Sequence, residues 1–431
     1  MVLNAFGPLV LFYVVAGVSM LGLRPTPAMA LQAGVARVDI TPPVDERSIP
    51  LNGYGERQRK PAEGVHDRIS ATALVLANEQ GKVAIVATDL LWVTIDFTRK
   101  VLEHVESPGL GLENIFLSGS HNHSGPAALD RRVVYQQAFG EFDAELFEET
   151  ARKVAQAIDD ACAGLRPARA GVASRPLPGL TRNRRDGEEI TDPTMTVIEV
   201  ADEKGDIAVL VNFAAHPTIL GPENLLVSGD YPGALQRSLE QRLGNGAAVL
   251  FTNGAEGDQT CVIGDNGAPF EAMKHYGDAL AAAAHDMMGE IVLSDQVELA
   301  WTVLDWTLPD PRVPERWRAF VDDSFMKLIF PTSAPVGAIR VGDAVLVTVP
   351  GEMVAEIGLT VKSAARQMGA RHAAIISLVN DYLGYILTPE QYNDGGYEPA
   401  FSFYGQSFGQ AIQEGACRAL AAVCNGQPVL P

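Results

Sequence analysis

Apolar, largely β-branched residues gather in six short runs, and each run ends abruptly in polar positions. Lys82–Thr88 runs into Asp89, and Asn114–Ser120 into His121-Asn122-His123. Ile207–Ala215 runs into His216, and Ala247–Thr252 into Asn253 and Asp258. Ala344–Gly351 runs into Glu352, and Ala373–Val379 into Asn380, Tyr382 and Tyr385. Continuous apolar runs of this length, bounded by turn-forming residues, are the form taken by strands buried on both faces. Stretches of helical character lie between several of them, at Phe142–Leu165, Tyr231–Leu243, Phe270–Glu290 and Glu352–Met368. The alternation predicts an α/β fold of mixed or largely parallel sheets layered with helices. Such sheets bind ligands outside the carboxyl ends of their strands. The polar residues that close the six runs are therefore expected to meet at one site.

Two of the eight histidines, His121 and His123, stand two residues apart after one of these runs. A period of two places both rings on one side of an extended backbone. His216 ends another run, and Pro217 biases it towards extended backbone. Glu352 offers a carboxylate at the expected start of a helix. Imidazole nitrogen with carboxylate oxygen is a donor set that zinc and similar ions accept, with a position left for water. An H-x-H pair alone is more often a hydrogen-bonding feature than a ligand pair, and His216 or Glu352 alone has an ordinary structural reading. Their shared placement at strand ends carries the metal-site expectation. His66 is a weaker candidate, and His104, His275, His285 and His372 read as structural.

The balance of charges narrows the partners. Lys and Arg number 33 against 53 Asp and Glu, a formal net charge of −20. Nucleic acid is excluded as a partner by this acidity, since phosphate binding needs a basic face. Attachment to anionic lipid surfaces is disfavoured for the same reason. Residues Gly7–Leu23 form an apolar run followed by Ala28-Met29-Ala30, which reads as a signal peptide over residues 1–30 and an exported, periplasmic or secreted protein. An uncleaved membrane anchor is the alternative; after cleavage no stable membrane insertion is expected. The four cysteines form no C-x-x-C. Cys417 and Cys424, about two helical turns or ~10 Å apart, are expected to stay unbridged.

The chain carries S-H-N-H-S-G-P at Ser120–Pro126, the H-P-T of His216–Thr218, N-G-A-E-G-D at Asn253–Asp258, V-P-G-E-M at Val349–Met353, and N-D-Y-L-G-Y-I-L-T-P-E-Q-Y at Asn380–Tyr392. Together, and in this order, these motifs resemble the catalytic domain of neutral ceramidases. Ala36–Pro43, Asp192–Thr196 and Gly229–Gly233 resemble the same family. The resemblance implies one zinc ion held by His121, His216, Glu352 and Tyr385. It gives His123 and Tyr397 transition-state roles, with Asp258 and Thr260 beside them in the catalytic group. It also assigns Arg182, Arg184 and Asn253 to substrate binding. The implied reaction is hydrolysis of an N-acyl amide bond in a small-molecule or lipid substrate.

Two features depart from the family pattern. Thr260 stands where the ceramidases carry a Ser, and the Pro-Asn that follows it there is missing. The chain also stops soon after the last motif, so a single catalytic domain over residues 31–431 is expected, without the β-rich C-terminal domain of the relatives. Two further readings remain open: a hydrolase of the same scaffold for another amide or an ester, and an exported metal-binding protein without turnover. No G-x-S-x-G elbow supports a Ser-His-Asp enzyme, and no G-x-G-x-x-G follows a strand to bind a dinucleotide.

Overall fold

The computed structural model describes residues 31–244, 246–264 and 267–425. The signal expected over residues 1–30 lies outside the described residues. Three sheets repeat one topology along the chain. Sheet I takes Gln32–Asp39, Ser70–Asn78, Gly81–Thr88 and Ile115–Gly119, with a short edge pair at Arg166–Pro167. Sheet II takes Arg169–Pro176, Thr194–Ala201, Asp206–Phe213 and Ala248–Asn253. Sheet III takes Leu299–Thr307, Ser333–Val341, Ala344–Thr348 and His372–Ile376. In each, the first three strands pair antiparallel, and the fourth joins the third in parallel.

A parallel partner needs a crossover, and a helix supplies each one: Ile95–His104, Asp230–Leu243 and Ala355–Gln367. A longer helix then closes each unit, at Ala144–Ala163, Pro269–Met288 and Phe408–Asn425. Local sequence sets where these helices begin. The Thr94 side chain accepts from the Phe97 amide, and Asp143 accepts from the Glu145 and Leu146 amides, satisfying donors that a helix start leaves free. Pro269 occupies the first turn of the second closing helix, where its missing N–H costs nothing.

Side-chain alternation explains the layering. In sheet I, Leu74, Leu76, Val83, Ile85 and Phe116 face a central core, while Ala73, Val75, Ala84, Val86 and Leu117 face the helices. The central core also takes Ile198, Val200, Leu210 and Leu250 from sheet II, and Ile339, Leu346, Ala374 and Ile376 from sheet III. Each sheet thus buries one face against the other two and the opposite face beneath its own helices. Full burial of one such Leu or Ile contributes roughly 1.5–3 kcal/mol. Gly337 of sheet III belongs to this packing, since a Cβ there would lie 2.8 Å from the Phe116 ring and 2.7 Å from the Thr302 carbonyl.

The six apolar runs are the six strands of the three parallel pairs, so the expected α/β layering is what the molecule shows. The sheets are mixed rather than largely parallel, because the outer strands of each sheet join through antiparallel hairpins. One correction concerns Glu352. It lies in a two-residue strand, Glu352–Met353, paired in parallel with Tyr385–Ile386, and the helix starts only at Ala355. His372 likewise sits on a strand. Cys162, Cys261, Cys417 and Cys424 are all free, as expected for the last two, which share one helix. Among the described residues no helix is long and apolar enough to cross a membrane.

Candidate metal centre

Beyond the ends of the parallel pairs, each sheet contributes one side chain to a buried triad. His121 follows the fourth strand of sheet I, His216 the third strand of sheet II, and Glu352 the third strand of sheet III. One donor atom from each lies within 4.8 Å of the other two. Glu352 Oε2 is 3.2 Å from His121 Nε2 and 3.0 Å from His216 Nε2.

The backbone around the triad orients these rings. His121 adopts a left-handed φ of 68°, a conformation that costs a non-glycine residue energy and must be held by its surroundings. Its amide donates to the Leu90 carbonyl at 3.1 Å, and its Nδ1 lies 3.1 Å from the Leu91 carbonyl. His216 places Nδ1 at 2.8 Å from the Glu256 carbonyl and 3.0 Å from that of Gln259. A carbonyl oxygen only accepts, so each Nδ1 carries a hydrogen, and the Nδ1–H tautomer turns the lone pair of Nε2 towards Glu352. Burial, and then the Arg184 charge, hold His216 down at about 4, so this ring is neutral at pH 7.

Two acceptors, His216 Nε2 and Glu352 Oε2, thus meet at 3.0 Å with no proton of their own to share. A cation between them resolves that contact, and the donor set suits zinc, whose catalytic sites use three such ligands and keep a position open. The residues present fit the ion.

Tyr385 stands beside Glu352 in the parallel pairing, and its ring lies nearly parallel to that of His216, 6.5 Å between centroids. Its hydroxyl accepts from Arg184 Nη2 at 2.9 Å. Burial pushes its phenol well above the ordinary value, while the Arg184 guanidinium pulls the other way. Arg184 also donates to Glu398 at 2.9 Å and to the Gly257 carbonyl at 3.0 Å, and its guanidinium carbon is 5.6 Å from the ring centres of both Tyr385 and Tyr397. Tyr397 forms the outer wall, 55% exposed, 6.0 Å from the Tyr385 ring.

His123 is buried, 4.9 Å from His121 and 6.2 Å from His216 between ring centres, and neither of its ring nitrogens has a hydrogen-bond partner. Burial, with the neighbouring imidazoles, holds its pKa well below the usual value. The loop Asn52–Arg57 cups this ring. Tyr54 packs on it at 4.8 Å, and Gly53, at φ +90°, leaves room that a Cβ would fill, 2.3 Å from His123 Nδ1. Arg57, itself buried, donates to the His123 and Asn52 carbonyls.

The remaining expected residues are placed around the triad in other ways. The Asp258 carboxylate accepts from Asn183, from Gln259 and from the Ala355 amide at the start of the crossover helix. The Asn253 amide donates to the Ser120 and Ala215 carbonyls, tying together the segments that carry His121 and His216. Thr260 pairs with Arg182 across a short two-stranded ribbon and bridges to His216 through the backbone. Arg182 is exposed, with a single contact to the Asn183 carbonyl. The alternation along Thr181–Asn183 sends it outward, and Arg184 turns inward because it lies beyond the end of that strand.

Sequence reasoning gave no role of its own to Tyr382, whose hydroxyl donates to Glu352 Oε1 at 2.7 Å, and passed over Trp92, which stacks on it. It also passed over Tyr54 and Arg57, and over Glu256, a fully buried carboxyl that burial and the Glu352 charge push well above its usual pKa. Tyr382 was visible as a polar ending of a run; the Asn52–Arg57 loop follows no apolar run and left no signal.

Comparison with known proteins places these observations. The family model for the N-terminal part of neutral/alkaline non-lysosomal ceramidase matches residues 31–291 and 321–414. Neutral ceramidase of Oryza sativa is 31% identical over 225 residues, which is 48% of this chain and 28% of that protein. Neutral ceramidase of Pseudomonas aeruginosa is 24% identical over 474 residues, 88% of this chain and 70% of that protein. The crystal structure of the Pseudomonas enzyme superposes with a TM-score of 0.82 at 22% identity, covering 93% of this chain and 76% of that one. A ceramidase complexed with C2 gives 0.81 at 20% identity, covering 94% and 76%. The alignment to the rice protein and several others spans about a third or less of their length. With the family model covering most of its length, this chain belongs to the neutral/alkaline non-lysosomal ceramidase family.

Proposed function

We propose that this protein is an exported, zinc-dependent hydrolase that cleaves the N-acyl amide bond of a lipid substrate of the ceramide type. The observation that carries this reading is the convergence of His121, His216 and Glu352, with both imidazole lone pairs aimed at one carboxylate oxygen, beside an unpartnered His123. Membership of a family whose curated members are named neutral ceramidases supports the substrate class. Tyr385 is assigned as the fourth ligand on its pairing with Glu352.

Zinc, when bound, polarises the amide carbonyl and lowers the pKa of water towards neutrality. His123 holds two free ring nitrogens in a neutral imidazole. It takes the proton of the attacking water and returns it to the leaving nitrogen. Tyr397 donates its hydroxyl hydrogen to the carbonyl oxygen, a bond that strengthens as negative charge develops there. Arg184 fixes the Tyr385 hydroxyl and places a positive charge between the two phenol rings. Asn253 and Asp258 act as positioning residues, Asn253 between the segments that carry the imidazoles and Asp258 at the helix that follows Glu352. Arg182 and Thr260 line the approach, and Thr260 is assigned no nucleophilic part.

The test joins metal analysis of purified protein to turnover of ceramide, shorter N-acyl amides and matching esters, with and without chelator. One zinc per chain, chelator-sensitive amide cleavage and a preference for long acyl chains are expected. Protein without stoichiometric metal, or turnover indifferent to chelation, would overturn the assignment.

A further inference from the structure

Glu352 has two carboxylate oxygens, and the structure treats them differently. Oε2 faces His121 and His216, whereas Oε1 accepts the Tyr382 hydroxyl at 2.7 Å. The glutamate side chain is fully buried, so an unengaged Oε1 would carry the full cost of lost solvation or would swing towards whatever charge Oε2 serves. The phenol removes both options.

Tyr382 is itself held from several sides. Its ring stacks on Trp92 at 3.9 Å with 2° between planes. Its amide donates to Asp381 Oδ1 at 2.8 Å, an oxygen that also accepts the Ile95 amide at 3.1 Å. Its carbonyl accepts from Arg132, which is paired with Asp130, and Asp130 accepts the Trp92 indole N–H at 3.1 Å. Leu91, the residue before Trp92, offers the carbonyl that orients His121. One dipeptide at the end of a sheet I strand therefore sets two of the three donors: Leu91 the tautomer of His121, and Trp92, through Tyr382, the rotation of Glu352.

We propose that Tyr382 is a positioning residue, supported by Trp92, that makes Glu352 present a single oxygen and thereby sets the affinity of the triad for a divalent cation. This rests on the zinc reading above. Groups that orient metal ligands from behind typically change metal affinity 10–100-fold when removed.

The test is zinc binding by the purified chain, measured by chelator competition, for the wild type, Tyr382→Phe, Trp92→Phe and Tyr135→Phe. Tyr382→Phe keeps the stacked ring and deletes only the hydroxyl, and it should weaken zinc about 10–100-fold. The cobalt-substituted variant should also change its visible absorption as Oε1 becomes free to bind. Trp92→Phe should weaken zinc in the same direction and by less. Tyr135 lies 5.6 Å from the Tyr382 ring and its hydroxyl has no partner, so Tyr135→Phe should leave the affinity unchanged. Wild-type affinity in both Tyr382→Phe and Trp92→Phe would overturn the inference while leaving the zinc reading intact. A wild-type chain that binds no zinc would overturn the zinc reading itself, and this inference with it.

Discussion

Glu352→Gln is the substitution that bears most directly on the centre. It removes the one anionic donor of the triad and changes the side chain's volume hardly at all. Unfolding entropies of about 2.1 cal/mol/K per residue give roughly 0.8 kcal/mol/K for the 400 or so residues of the folded chain. Zinc held at 1,000 times its dissociation constant stabilises the wild type by about 4.1 kcal/mol. The two figures together predict a rise in melting temperature of about 5 °C. A variant that binds 100-fold more weakly retains RT ln 11, about 1.4 kcal/mol, and should rise by less than about 2 °C at the same zinc concentration. The measurement is differential scanning calorimetry with and without zinc, the zinc-free melting points serving to show that both chains are folded. An equal rise in both proteins would refute the argument, because the cation would then be bound elsewhere.

Three further outcomes test other parts of the structure. His123→Gln should keep the zinc-induced rise in melting temperature and lose roughly 10²–10⁴-fold in kcat, as removal of a general acid-base group does; unchanged turnover would remove His123 from the reaction. Lys362 and Asp192 form an ion pair in which each side chain is 2% exposed. Lys362→Met leaves that carboxylate buried and alone and should cost about 3–5 kcal/mol in urea unfolding, most of it recovered in Lys362→Met with Asp192→Leu. Glu199 is pushed up to about 7 by burial and then by Asp206. The folded chain therefore holds a proton that the unfolded chain releases near 4.5, and stability falls as pH rises from about 4.5 to 7. Allowing for solvent screening, Glu199→Gln should remove about 1–2 kcal/mol of that fall, seen as a flatter profile of urea midpoints against pH; an unchanged profile would show that Glu199 titrates normally.

What could be read from the sequence follows from where each strand lies. The six runs were legible because the third and fourth strands of each sheet are buried on both faces and so lack polar interruptions. Leu299–Thr307 escaped notice because it is mostly only half-buried and mixes Trp, Asp and Thr with aliphatic residues. Ser70–Asn78 is almost wholly buried but is broken by small residues that weaken its pattern. Without these outer strands, the pattern leaves mixed and largely parallel sheets both open. His121, His216 and Glu352 were legible because they stand where buried strands stop. The Val-Pro-Gly sequence before Glu352 suggested a helix start, but that residue pairs with Tyr385 before the helix begins, and backbone pairing between distant segments leaves no local pattern. Tyr382 illustrates a different limit. Its position at a strand end was plain, yet its contact with Glu352 spans 30 residues, and its support by Trp92 spans 290.

The threefold topology has a consequence for how the centre and the fold depend on each other. The three donors are 95 and then 136 residues apart, and each belongs to a different β-β-β-α-β-α unit. No unit alone can bring together more than one of them. The triad therefore exists only when all three sheets close on the central core formed by Leu76, Leu210 and Leu346 among others. Any ion bound there favours the closed assembly over every partly opened one by the full free energy of binding, not by the part that a local site would return. Because the ends of all six parallel strands meet at this point, a shift of one sheet against another is felt first in the separation of His121, His216 and Glu352. The backbone strain at His121 and the buried ties of Asn253 and Asp258 then make physical sense as constraints that hold three independently built strand ends in one register.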